Sequence, residues 1–445
     1  MGKVSGTAYL YGRVMVSMFS FFKSLLTSSK STSIKRVYLD NAGATEVGVR
    51  ASRALLETLS LYGNPSAIHH EGSRAGQILD KARALCATVL NAHAYEIYFV
   101  STGTESCNLA VLGVYQAFVA THNQPPATLP HIIVSSIEHP SVLEPIKYLE
   151  KNGKIRVTYL RVYDDGIVRT KDVHEALCNE TILVCVMYAN NEIGTIQPIK
   201  EIGRAIQEWK HTHDLTKSAY PYFQIDACQA ANYCNLDVVR LQAHLMTVNS
   251  SKVSGPKGVA LLYKREGVKL SPVTYGGGQE RELRSGTENV AGAYAFGVAL
   301  SEARELKDKE GARLRLLRDE TVQVMKKSIP SIIFYGAFDQ YDLQPTNYNL
   351  KTALRLPNNI NCRIPGISSE EMILRLDAKG FAVSHKSACA SMESDGSYVV
   401  MALGATEEES RENIRISMGR STTAKDMEGL VNAMEEIAGK YNQMT

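Results

Sequence analysis

The sequence predicts an α/β fold, with a mostly parallel sheet covered by helices and a smaller α+β domain after it. From residue 50 to about 300, short apolar runs alternate with helix-like stretches, a pattern that builds parallel sheets with helices on both faces. Polar clusters follow several of those runs directly, at the carboxyl ends of strands where open α/β sheets bind ligands. The 445 residues also exceed what one hydrophobic core usually covers, so two domains are expected.

The elements follow in order. Ile97-Tyr98-Phe99-Val100 reads as a strand before a helix from Glu105, and Ile132-Ile133-Val134 as a strand before a helix near Ser141. Ile182-Leu183-Val184-Cys185-Val186 precedes a helix near Pro198, and Phe223-Gln224-Ile225 ends at Asp226. Residues 211–221 read as an inserted polar loop. Leu245-Met246-Thr247-Val248 and Val259-Ala260-Leu261-Leu262-Tyr263 flank a turn marked by Gly255 and Pro256. A helix over about 290–306 leaves this domain, and a separate helix is expected over 313–327. Strands near 332–334 and 359–362, a helix from Ser369, strands around 382–383 and 414–416, and a last helix from about Lys425 complete a second unit. The expected division is a large domain over 50–300 and a small domain built from 36–49 with 301–445.

Composition narrows the function. Hydrophobic content of 44% and charge of 21% are ordinary for a soluble globular enzyme. A net charge of +3, with no basic run carrying interleaved aromatics, argues against direct nucleic-acid binding. Eight cysteines show no CxxC spacing, which argues against a zinc ribbon or disulfide framework and fits a reducing compartment; no metal site is expected. Residues 1–35 lack acidic residues, the first being Asp40, and Met15, Met18, Phe19, Phe22, Leu25 and Leu26 recur at helical spacing. Such a segment reads either as an amphipathic organelle-targeting leader or as a disordered extension outside the fold. It is too short, and too interrupted by Lys23, to span a membrane. The expected location is the cytoplasm, or a mitochondrial-type organelle if the leader is a targeting segment.

The chemistry concentrates on a few loops. Lys252, with Gly255-Pro256-Lys257-Gly258 after it, lies between two core strands, and lysine is rarely buried without a partner. One use for it is to carry the aldehyde of pyridoxal phosphate; a surface lysine in a hairpin loop fits this local stretch equally well. Ser101-Thr102-Gly103-Thr104-Glu105-Ser106 joins a strand to a helix and reads as an anion site or simply a helix cap. Glu138-His139-Pro140-Ser141 and Asn190-Asn191-Glu192-Ile193-Gly194 end two further strands, and each alone also reads as capping or turn chemistry. Asp226, in Asp226-Ala227-Cys228-Gln229, follows an apolar strand and needs a cationic or N–H partner, which a protonated pyridine nitrogen would supply.

Together and in this order these motifs resemble the class V aminotransferase group of pyridoxal-phosphate enzymes, and most closely the cysteine desulfurases with the long loop. The resemblance runs from Val37 to Met434. It takes in Tyr38-Leu39-Asp40, Gly63-Asn64-Pro65-Ser66, Gly276-Gly277-Gly278-Gln279-Glu280-Arg281, Arg284-Ser285-Gly286-Thr287, Ser387-Ala388-Cys389 and Ile414-Arg415-Ile416-Ser417-Met418-Gly419-Arg420. It implies the pyridoxal-phosphate transferase fold of type I, with a sheet of the seven-stranded type. By the resemblance, Lys252 carries the cofactor and moves protons, His139 stacks on its ring, and Asp226 pairs with the pyridinium nitrogen. Asn191 and Gln229 are implied on the phenolic side. Gly103 and Thr104 are implied at the phosphate, with Thr287 reaching the phosphate of a neighbouring subunit in a homodimer. Arg415 is implied to bind the substrate carboxylate with a bidentate fork, with Asn41 assisting.

Cys389 is implied to carry the sulfur. It follows His385 and Lys386, which would favour the thiolate, and precedes the polar run Glu393-Ser394-Asp395-Gly396-Ser397. The implied reaction converts L-cysteine to L-alanine and leaves a persulfide on Cys389, for delivery to an iron–sulfur scaffold or a tRNA-thiolation relay. The alternatives are a selenocysteine lyase, which shares the lysine and loop cysteine, and a catalytically silent relative acting as a binding subunit. Three departures stand out. Ser251 and Asn249 occupy the positions where the family has histidine and serine at the phosphate, and Asn41-Ala42-Gly43 replaces the usual tyrosine-serine pattern. The tail after the last helix is short, which leaves the scaffold partner open.

Overall fold

The structure, a computed structural model, describes residues 35–121, 128–215, 219–337, 354–386 and 396–442. Cys389, with the rest of 387–395, and residues 1–34 of the expected leader lie outside the described residues. In chain order, β1 (Val37–Tyr38) is followed by α1 (Val49–Thr58), α2 (His70–Leu90), β2 (Ile97–Val100) and α3 (Gly103–Thr121). Then come β3 (His131–Ser135), α4 (Pro140–Lys151), β4 (Arg156–Leu160), α5 (Thr170–Ala176), β5 (Thr181–Cys185), α6 (Ile199–Thr212) and β6 (Tyr222–Asp226). β7 (Leu245–Asn249) and β8 (Ala260–Lys264) complete a seven-stranded sheet of order β2-β8-β7-β6-β5-β3-β4. Only β8 runs against its neighbours; the remaining pairings are parallel. β2, β3, β5 and β6 are buried throughout, as strands covered on both faces must be, which is why they read as continuous apolar runs. β4, at the sheet edge, carries Arg156 and Thr158 among its residues and left no such run in the sequence.

The chain then enters α7 (Val290–Ser328), one helix of 39 residues. This corrects the sequence expectation of two helices over about 290–306 and 313–327. Gly311 lies between those two stretches, and glycine weakens helices by about 1 kcal/mol. Here it is buried on a packed face with Ala303 and Leu314, and packing outweighs propensity. Beyond α7 lie β9 (Ile333–Phe334), β10 (Asn359–Arg363), α8 (Ser369–Ala378), β11 (Phe381–Ala382), α9 (Tyr398–Ala402), α10 (Glu407–Ser410), β12 (Asn413–Ser417) and α11 (Ala424–Asn442). β12, β10 and β9 form an antiparallel sheet, and β11 pairs in parallel with β1. Leu39 is therefore buried in a core built largely from residues 314–438. Among the described residues no helix is long and apolar enough to cross a membrane.

Candidate active site

One pocket gathers most of the residues singled out in the sequence. Gly103, Thr104, His139, Asn191, Asp226, Gln229, Asn249, Lys252 and Arg415 all line it. The sheet explains the convergence: these residues lie at or just beyond the carboxyl ends of β2, β3, β5, β6 and β7, with Arg415 brought in on β12.

Lys252 closes a short 3-10 turn at the end of β7. Its Nζ donates to the carbonyls of Ala42, at 2.7 Å, and Gly43. Gln229 Nε2 donates to the same Ala42 carbonyl at 2.9 Å, so lysine and glutamine converge on one backbone oxygen. The segment carrying Ala42 is held against the lysine turn by Thr45, whose N–H and Oγ1 both donate to the Ser251 carbonyl.

His139 caps α4, with Pro140 as the first helical residue. Its Nδ1 accepts the Ser141 backbone N–H at 3.1 Å, and a backbone N–H can only donate, so Nδ1 is bare and a neutral ring carries its proton on Nε2. Burial holds the ring below its ordinary pKa, and the Lys252 charge adds to this while Asp226 opposes it. Asp226 ends β6 buried, with Oδ1 accepting the Cys228 N–H at 2.9 Å. Behind His139, Glu138 is fully buried. Its Oε1 accepts from Ser135 Oγ and the Met187 N–H, and Oε2 has no partner. Burial outweighs those hydrogen bonds and pushes its carboxyl up to about 8.

Arg415 is 1% exposed and already held: Nη2 donates to Asp40 Oδ1 at 2.7 Å and Nη1 to the Asn191 carbonyl at 3.0 Å, leaving a buried Nε without a partner. Ser384, five residues before Cys389 in sequence, forms a β-bridge with Arg415 and so lies beside the pocket. After residue 395, Ser397 Oγ donates to the buried Glu192 carboxylate and Tyr398 Oη to the Glu138 carbonyl. Burial and the charge of Lys386 hold His385 below its ordinary pKa.

Three residues stand apart. Asn41 does not line the pocket; its Nδ2 donates to the Ser417 carbonyl at 2.9 Å, and Ala42 and Gly43 face the cavity instead. Ser251 is also absent from the lining, with its hydroxyl donating to Asn249 Oδ1. Thr287 is exposed away from the pocket. Sequence reasoning missed the carbonyls that receive Lys252 and the pair formed by Arg284 with Glu105 (2.7 Å) in the first turn of α3. Cys228 was read only as part of the Asp226 motif, yet it lines the pocket; burial raises its thiol well above the ordinary range, as it does for Cys107 and Cys185.

The pocket suits an aromatic aldehyde bearing a phosphate. A Cβ on Gly103 would lie 3.3 Å from both Asn249 Nδ2 and Cys228 Sγ, so only glycine leaves that end open. Asn191 Oδ1 is buried and unpartnered in the lining, and a ligand atom that donates a hydrogen bond would satisfy it. A carboxylate, a neutral imidazole, an amine and a helix N-terminus around one cavity are the groups a lysine-centred α/β transferase needs.

The comparisons refine that class. The family described as aminotransferase class-V matches residues 37–430, and the chain belongs to it. A protein named cysteine desulfurase IscS from Clostridium botulinum is 35% identical over 412 residues, covering 92% of this chain and 96% of that protein. A solved structure titled NIFS-like protein superposes with a TM-score of 0.78 at 29% identity, covering 91% of this chain and all of that one. Another, titled SspA in complex with cysteine, has a TM-score of 0.67 at 30% identity, covering 86% of this chain and 98% of that one.

Proposed function

We propose that this chain is a pyridoxal-phosphate-dependent cysteine desulfurase that converts L-cysteine to L-alanine and takes the sulfur as a persulfide on Cys389. The observation that carries the reading is the meeting of Lys252, Asp226 and His139, from the carboxyl ends of β7, β6 and β3, in one pocket. Lys252 would hold the cofactor covalently, Asp226 its ring nitrogen, and His139 its ring face. Asn191 and Gln229 would meet the phenolic side, with Gly103, Thr104 and Asn249 at the phosphate. When bound, pyridoxal phosphate supplies an electron sink for bonds to the amino acid's α carbon.

The chain's own groups do the rest. Arg415, fixed by Asp40 and Asn191, orients the substrate carboxylate. His139, neutral at Nδ1, and the Lys252 amine hold and move protons. The Cys389 thiolate attacks the substrate sulfur: an S–S bond forms, the substrate C–S bond breaks, and the carbon gains a proton to give alanine. The half-buried thiol of Cys228, held well above the ordinary thiol range, lacks the thiolate character this step requires. The proposal includes a homodimer, in which the exposed Thr287 reaches the partner's phosphate site, and a sulfur acceptor in iron–sulfur assembly or tRNA thiolation.

The test is incubation of the purified protein with cysteine, measuring alanine and mapping persulfide by mass spectrometry. The expected result is equimolar alanine and sulfur on Cys389 in a single turnover, with both lost in Cys389→Ser. Sulfur mapped to Cys228, or alanine undiminished in Cys389→Ser, would refute the assignment.

A further inference from the structure

The end of β7 faces the N-terminus of α3 across the pocket, and the side chains there divide their hydrogen bonds unevenly. Asn249 Oδ1 accepts both donors of Ser251, the backbone N–H and the hydroxyl, each at 3.2 Å. Because a backbone N–H can only donate, the atom facing it is the amide oxygen, and this fixes the orientation of the whole side chain. The Asn249 NH₂ is thereby turned toward α3, 3.3 Å from the Cβ position of Gly103, and no hydrogen bond from it to a described residue is formed. Ser251 is itself clamped from the other side, its carbonyl accepting from the N–H and hydroxyl of Thr45. Asn249 and Thr104 line the cavity, and Ser251 does not.

Resting on the cofactor reading above, we propose that Asn249 contacts the cofactor phosphate directly while Ser251 is a positioning residue that acts only through Asn249. The serine hydroxyl and N–H lock the amide so that Nδ2 points at the phosphate, beside the N–H groups that open α3. A hydrogen bond to a charged group depends on such preorganisation, because a rotating amide would pay its ordering cost on binding. The residue directly before the lysine thus supports the phosphate site from behind.

The test is a double-mutant cycle on the full chain freed of cofactor, with binding of pyridoxal phosphate and of pyridoxal measured by equilibrium dialysis. Asn249→Ala is expected to weaken pyridoxal phosphate by about 10- to 100-fold, the usual effect of losing a hydrogen bond to a charged group, and Ser251→Ala by a smaller factor. The double variant should bind no more than about twofold worse than Asn249→Ala alone, a near-complete loss of additivity. Ser251→Thr, which keeps the hydroxyl, should restore wild-type binding, and pyridoxal, lacking phosphate, should be unaffected throughout. If Ser251→Ala costs as much in the Asn249→Ala background as in the wild type, Ser251 is a direct ligand and the inference fails. Equal losses for pyridoxal and pyridoxal phosphate would also overturn it. A wild-type chain that binds neither compound would instead overturn the cofactor reading itself.

Discussion

Glutamine in place of Glu138 removes a carboxyl whose charge the fold resists, and the effect on stability follows from the site geometry. The folded carboxyl is pushed up to about 8 from an ordinary value of 4.5, first by burial, with Ser135 and the Met187 N–H pulling the other way. The folded state therefore binds this proton more tightly than the unfolded chain does. Stability contributed by the group is intact below the unfolded pKa and is lost as pH rises through the folded one. Across that window the slope is about 1.4 kcal/mol per pH unit, so between pH 5.5 and 7.5 the wild type should lose about 2.5 kcal/mol through this group. Glutamine has no proton to lose. Its amide nitrogen in the place of the unpartnered Oε2 adds an offset that does not vary with pH. The assay is urea unfolding followed through Trp209, the single tryptophan, which is 4% exposed in the same core as Met187. Glu138→Gln should gain on the wild type by about 2.5 kcal/mol as pH rises over this range. A stability difference that stays flat with pH, or moves the other way, would show that Glu138 is ionised in the folded protein.

Other outcomes follow from the same pocket. Lys252→Ala should abolish the visible-edge absorbance of lysine-bound cofactor and all alanine formation; a cofactor adduct still reducible by borohydride in this variant would show that another amine holds it. Arg415→Lys keeps the charge but cannot span Asp40 and the Asn191 carbonyl together, so KM for cysteine should rise by about tenfold or more with a smaller change in kcat, read from initial rates. Gly103→Val adds methyl groups to a position already 3.3 Å from Asn249 Nδ2 and Cys228 Sγ, and should lower affinity for pyridoxal phosphate in equilibrium dialysis without a comparable loss of stability in urea. Sedimentation of the cofactor-bound protein as a species of twice 48.9 kDa is expected for the homodimer, and a monomer alone would contradict it.

The large sheet was legible because its central strands are buried on both faces and so announce themselves as apolar runs, with Asp226 and Asn249 placed at strand ends by the same signal. The single helix α7 was not, since a glycine in its middle carries a strong local signal while the packing that overrides it comes from residues distant in sequence. The pocket follows the same division. Lys252, His139 and Asp226 each sit in a short motif that can be read locally, but the carbonyls that receive Lys252 lie 209 and 210 residues away and belong to Ala42 and Gly43, which have no side-chain chemistry to notice. Asn41, the more conspicuous neighbour, faces Ser417. The engagement of Arg415 by Asp40, 375 positions distant, was equally silent in the sequence.

That last pairing has a consequence for biosynthesis. The lysine turn and the strands around it are all made by residue 264, whereas the Arg415 guanidinium comes later, on β12, and is then held by Asp40, a carboxylate made 375 residues before it. A nascent or truncated polypeptide could assemble the sheet while lacking the means to grip an amino acid. With Arg415 in the role proposed above, competence to handle substrate is acquired only when these two distant segments have both been made and brought together, which keeps reactive sulfur chemistry out of unfinished chains.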